Sequence, residues 1–243
     1  MMLKRLEART PLPLKVLWFL LFFGMSLICS WSAQVKDTKF SVDRGFFLEP
    51  FVLNISSATP RAQIRYTTDG SHPSPVNGKD YTGPLILNKT TVIRAKAFKE
   101  GFDPTDVDTH TYIFLEDVIH QTEKGMPLSW GPFGRFDTVP GDLEPGPYFG
   151  DYEMDQRVVN DPKYANTIKE DMRSIPTLAV SLNPEDLFSS EPVQIDADNN
   201  VIQTRGIYPI GKGFERAASA ELILPDGSTG FQIDCSIEIQ GAT

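Results

Sequence analysis

The residue types that could do chemistry are few and poorly spaced for it. The three histidines, His72, His110 and His120, lie in no His/Cys/carboxylate pattern suited to zinc. No Gly-x-Ser-x-Gly elbow supports a serine nucleophile, and Gly211-Lys212-Gly213 lacks the spacing of a phosphate loop and reads as a turn. Asp196, Asp198 and Asn200 mimic the first three ligands of a calcium loop. The sixth place, however, is Val201 where Gly is needed, and the twelfth is Ile207 where Glu is needed. A loose calcium site and a plain hairpin turn are both open there, the turn being the preferred reading. No catalytic residue and no cofactor are assigned.

One stretch gathers aromatic rings: Trp130, Phe133, Phe136, Tyr148, Phe149 and Tyr152. Flat rings bury the apolar faces of sugars well, which makes Trp130, Phe133, Phe136, Tyr148 and Tyr152 the candidate carbohydrate-binding residues. The alternative is that these rings anchor their own segment. Gly and Pro interrupt it from Gly125 to Gly150, and a loop without ladder hydrogen bonds needs large side chains to hold it. The anchoring role is preferred.

The elements around these residues are mostly strands. Ile64, Tyr66 and Thr68 alternate with Arg65 and Thr67, the period of a half-buried strand, and Asp69-Gly70 closes it with a turn. Further strands are expected in Tyr81–Leu87, Thr91–Phe98 and Val107–Phe114, and a strand pair in Phe46–Ser57. The expected fold class is mainly β: a fibronectin- or immunoglobulin-like antiparallel β-sandwich, plus a smaller, incomplete α+β region.

The motifs TTDGSHPSP, YTGPLIL and TTVIRAKAFKEGFDPTDVDTHTYIF resemble the chitobiase/β-hexosaminidase C-terminal-type module, also called the GH29D-like domain. The resemblance covers about residues 46–114. It implies an accessory β-sandwich on a secreted bacterial protein, with no glycosidase site of its own. The expected sandwich runs from residue 40 to 114, with residues 115–154 as a Gly/Pro/aromatic linker.

Residues 1–32 read as a signal peptide. Four cations against Glu7 give this segment +3, and an uncharged apolar run from Val16 to Cys29 follows. Ser30 and Ser32 stand at the −3 and −1 places for cleavage before Ala33. Of the net −9, the remainder therefore carries −12. So acidic a body disfavours nucleic acid, whose phosphates call for clustered Lys and Arg. The expected partners are a cell-surface polysaccharide or protein, with membrane contact only through an uncleaved signal segment, and the expected location is extracellular, cell-surface or periplasmic.

In residues 155–243, Ile168 and Met172 share a helix face, Pro176 ends that helix, and Thr177–Leu182 forms a strand. Ala220–Leu224, Pro225-Asp226-Gly227-Ser228 and Phe231–Ile239 read as a β-hairpin, with Cys235 buried beside Ile233 and Ile237. The runs DYEMDQRVVND, RSIPTLAVSLNPEDLF, RGIY and FERAASAELILPDGSTGFQIDCSIEIQGAT resemble the segment that opens CotH kinase-like proteins. The resemblance implies that the ATP-binding lysine and metal-binding aspartates lie beyond Thr243, as in a truncated frame. Three functions follow: a non-catalytic accessory, spacer or adhesion module; the N-terminal fragment of a CotH-like secreted kinase; or a carbohydrate-binding module.

Overall fold

Eleven short strands build the first part of the chain. They are β1 (Ala33–Gln34), β2 (Thr38–Phe40), β3 (Gly45–Phe47), β4 (Phe51–Leu53), β5 (Ile55–Ser57), β6 (Gln63–Thr67), β7 (Lys79–Asp80), β8 (Leu85–Leu87), β9 (Thr91–Phe98), β10 (Phe102–Asp103) and β11 (Asp108–Phe114). The computed structural model describes residues 32–126, 152–188, 192–195, 197, 201–204, 215–228 and 230–238. The described residues from Gln34 onward belong to one compact unit.

One layer is a five-stranded sheet in the order β3-β11-β9-β6-β7. Two ladders, β4 with β8 and β2 with β5, stand apart from it and bury their apolar residues into the same core. Alternation decides what goes inside. Along β9, Ile93, Ala95 and Ala97 are buried in the core, beside Tyr112 and Phe114 of β11, Ile64 of β6, and Leu53, Leu87 and Ile55 from the short ladders. Rings fill the corner. Phe47 and Phe51 lie with centroids 4.4 Å apart, and Tyr112 packs 5.3 Å from Phe51 while its hydroxyl donates to the Val42 carbonyl at 2.8 Å. The β-sandwich is thus the observed fold.

Two local expectations fail. Residues 46–57 do not make a strand pair, because β3, β4 and β5 each pair elsewhere. The sandwich is not wholly antiparallel either: β3 runs parallel to β11, with Phe47 opposite Phe114. Glu49-Pro50 and exposed Asn54 interrupt the run, so each piece of three residues is free to join whichever partner buries its apolar side chains.

Past β11 the described residues form the short helices α1 (Leu115–Ile119), α2 (Gln156–Val159) and α3 (Ile168–Arg173). Ile119, Val159 and Ile168 form a small core of their own with Met154 and Met172. The Ile168/Met172 face is therefore internal, and α3 stops before Pro176, whose ring disfavours helical backbone in the residue ahead of it. Then follow β12 (Thr177–Leu182), α4 (Pro184–Phe188), the ladder of β13 (Pro192–Ile195) with β14 (Val201–Thr204), and the hairpin of β15 (Arg216–Ile223) with β16 (Gln232–Ile237). β12, β15 and β16 form a three-stranded antiparallel sheet.

Register defines the two faces of that sheet. Ser181, Ser219 and Asp234 are opposite one another, as are Ala179, Glu221 and Gln232, on the face turned to the sandwich. The other face holds Leu178 and Leu222, then Val180, Ala220 and Ile233, then Leu182, Ala218 and Cys235. The alternation expected for Cys235, Ile233 and Ile237 is present, but the burial is not: Ile233 is 51% exposed and Cys235 only half-buried. The polar face is the packed one.

Gly230 sits in this hairpin where an added Cβ would lie 1.9 Å from the Leu222 carbonyl oxygen. Gly230→Ala is expected to destabilise the chain by more than the ~1 kcal/mol of an ordinary strand glycine change. Ile93→Ala, which empties the centre of the main core, is expected to cost about 2–5 kcal/mol. Both are read by chemical denaturation, and an Ile93→Ala loss below ~1 kcal/mol would contradict the core assignment.

Candidate functional site

Among the described residues, buried charge gathers where the two sheets meet. On β9, Arg94 points away from the core that its neighbours Ile93 and Ala95 enter, and it is nevertheless buried. Its register partners, Thr67 on β6 and Thr109 on β11, are buried too. The outer face of the five-stranded sheet is thus polar and covered. What covers it is the polar face of β12, β15 and β16.

Glu221 on β15 is the centre of the contact and has no exposed surface. One carboxylate oxygen accepts the Thr111 backbone N–H at 3.1 Å and the other accepts the Thr111 hydroxyl at 2.5 Å. Arg44, in the turn before β3, places a guanidinium nitrogen 3.4 Å from the same carboxylate and donates to the Phe231 carbonyl at 3.1 Å. Arg94 donates to the Gly70 carbonyl at 2.9 Å. Its Nε and the Thr109 hydroxyl lack protein partners.

Gly70 has a second duty that the turn reading did not anticipate. Its φ of 82° needs glycine, and an added Cβ would also lie 2.7 Å from the Leu182 carbonyl oxygen at the end of β12. Two residues on, the His72 backbone N–H donates to the Asn183 side chain at 3.0 Å. That side chain also donates to Asp186 at 2.9 Å. The turn after β6 is thereby docked on the turn after β12.

Burial shapes the ionisation here. Loss of solvent pushes the Glu221 carboxyl up, opposed by the Thr111 hydrogen bonds and Arg44. It pushes Arg94 down, opposed by Asp234 and Glu221. His72 is lowered by burial and then by Lys96 and Arg94. His110 is pushed down to about 3, by burial first and then by Arg44. Its ring stacks on Phe40 at 4.1 Å, and its buried Nδ1 has no partner. His120 instead lies exposed on the end of α1, against the Glu116 carbonyl. The three histidines occupy three different settings.

Of the sequence-predicted site residues, Trp130, Phe133, Phe136 and Tyr148 fall outside the described residues, as do Asp196, Asp198 and Asn200. Tyr152 is described: it is half-buried, and its carbonyl accepts the Gln121 side-chain N–H. Among the described residues no group of three or more His, Cys, Asp or Glu could hold a metal ion. A separate surface groove of about 330 Å³ lies at one sandwich edge, where Arg61, Gln63, Lys99 and Glu100 surround Phe98 and Phe102. The Lys99 ammonium sits 4.4 Å from the Phe102 ring centre. Sequence reasoning passed over Arg44, Arg94 and Glu221. The available signal was a charge inside two strongly apolar strands, IRAKA and SAELI.

A family model described as Fn3 associated matches residues 53–112, which is most of the sandwich from β4 to β11. Comparison with curated proteins and with solved structures returned no match.

Glu221→Ala strands Arg44 and the Thr111 N–H together, and is expected to cost about 3–5 kcal/mol in denaturation. Glu221→Gln keeps acceptor and donor groups and is expected to cost less. Because the folded carboxyl is raised, its favourable contribution is complete below the ordinary carboxylate value and is lost as pH rises through the folded one. Wild type should therefore lose ground to Glu221→Gln on going from about pH 4 to pH 7; a gap that stays constant over that range would contradict the assignment. For His110 the sign is opposite: stability is complete above pH 6.5 and is lost as pH falls towards about 3. His110→Phe, which retains the ring stack, should flatten that acid limb in pH-dependent unfolding.

Proposed function

We propose that this chain acts without catalysis of its own, as a secreted β-sandwich accessory module that spaces or anchors functional parts of a bacterial extracellular or cell-surface protein. The observation that carries this reading is the use made of the charged groups. Glu221, Arg44 and Arg94, the natural candidates for chemistry, are turned into a sheet–sheet contact and closed in by Thr109, Thr111 and Gly70. A catalytic carboxylate has to reach a substrate atom within about 3 Å, and Glu221 has no exposed surface through which to do so.

The Fn3-associated match supports the accessory role for the sandwich. The resemblance of residues 46–114 to GH29D-like modules supports a place on a secreted protein, as does the basic-then-apolar start of the chain. The resemblance of residues 151–243 to the opening of CotH-like proteins supports reading the three-stranded sheet as the platform of a further unit. In that reading the phosphoryl-transfer chemistry belongs to that unit.

A second reading, contact with a surface polysaccharide, is favoured by the groove at the sandwich edge. There half-buried Phe98 and Phe102 are flanked by the donors Arg61, Gln63 and Lys99, a mixture suited to an apolar sugar face with hydroxyls around it.

The purified chain is expected to show no turnover of ATP or of chromogenic glycosides. Turnover abolished by one substitution within it would overturn the accessory reading. For the second reading, binding to a polysaccharide panel should weaken in Phe102→Ala if the groove is used and in Trp130→Ala if the ring-rich segment is used. Absence of binding to every polysaccharide would remove it.

A further inference from the structure

Two turns meet at one end of the five-stranded sheet. Gln63, the first residue of β6, pairs with Phe98, the last of β9. This antiparallel register sets the turn before β6 beside the turn after β9. In the first, the Ala62 N–H donates to the Thr59 carbonyl at 3.2 Å, across Pro60 and Arg61. In the second, the Phe102 N–H donates to the Lys99 carbonyl at 3.1 Å, across Glu100 and Gly101. Gly101 has a φ of 75°, and Arg61, at the same place of its own turn, a φ of 61°. Proline followed by a positive φ is the type II pattern, whose third residue is ordinarily glycine. Among the described residues Arg61 alone, other than glycines, has a positive φ. Its backbone is held in a conformation that an L side chain disfavours.

That strained position delivers a guanidinium to the groove of about 330 Å³ between the two turns. Lys99 lines the same groove, its flexible ammonium steadied by the Phe102 ring. Among the described residues neither Arg61 nor Lys99 forms an ion pair. Glu100 is the carboxylate of the lining, so two cations face one anion in a chain whose net charge is −9.

We propose, resting on the polysaccharide reading of this groove, that its ligand is an acidic glycan whose sugars carry carboxylates, a uronic acid chain. A planar carboxylate fits the two-pronged donor of Arg61, and Lys99 supplies a second positive charge. The exposed Gln63 amide is placed to bond sugar hydroxyls, and half-buried Phe98 offers its ring to the apolar sugar face. Charge selects this ligand over a neutral one. A neutral glycan leaves both cations unanswered, whereas the acidic remainder of the chain repels a polyanion and confines it to the groove.

The test is calorimetric titration of the full chain with polygalacturonate and with its fully methyl-esterified form, the same backbone with its carboxylates capped. The acid form should bind at least about tenfold more tightly at about 50 mM salt, and the advantage should shrink towards about 500 mM. Arg61→Gly places glycine where the turn favours it, so the fold is kept. It should nevertheless weaken the acid form at least about threefold and leave the esterified form unchanged. Glu100→Gln should tighten the acid form. Val76→Lys raises the net charge by the same amount at a 95% exposed site outside the groove lining, and should change nothing. Equal affinity for the two forms overturns the acidic ligand and leaves the polysaccharide reading standing. Absence of binding to polygalacturonate also overturns it, and binding of neutral polysaccharides in the panel then shows that the broader reading survives. A gain in Val76→Lys equal to that in Glu100→Gln marks diffuse attraction and overturns the site.

Discussion

The carboxylate of Glu221 is the constraint around which the two β regions are arranged. It has no exposed surface, and it is held by both donors of Thr111 and by Arg44. A carboxylate out of water is tolerated only when its lone pairs are matched, because the desolvation penalty otherwise exceeds what packing returns. The matching donors come from residues more than a hundred positions earlier in the chain, on a sheet with its own core. The polar side of β15 must therefore meet the polar side of β11, and that pairing dictates which way the second sheet faces.

Several features follow from this orientation. Gly70 has to lack a side chain because the carbonyl of Leu182 comes against it, and Arg94 can be buried because the same turn offers it the Gly70 carbonyl. Asn183, next to α4, is engaged by the His72 amide of the sandwich. Leu178, Val180 and Ile233 are left exposed by the same choice.

The chemistry of the junction is that of specificity more than of strength. A buried polar contact contributes little net stability compared with apolar residues of similar volume, but it allows few alternative registers. A shift of β15 by one residue would remove Glu221 from Thr111 and insert Ala220 or Leu222. His110 illustrates the other cost of burial. Stacked on Phe40 with an unpartnered ring nitrogen, it is accommodated only in its neutral form.

Much of the fold was legible from periodicity. The β6, β9 and β11 strands, the Asp69-Gly70 turn, the Ile168/Met172 helix face and the β15–β16 hairpin all rest on local signals, because alternation and turn chemistry depend on a few neighbouring residues. The runs in 46–57 were not legible, since strands of three residues take their partners from the tertiary structure. The junction was not legible either. In the sequence, Glu221 and Arg94 stand out only as charges within the runs SAELI and IRAKA, and nothing local records that two polar faces meet. The amino-acid order alone thus settled which residues share a face. Only the folded chain decided which face is turned inward, because that depends on hydrogen-bond donors brought from a distant segment, and at Glu221 those donors outweigh the preference of the aliphatic side for burial.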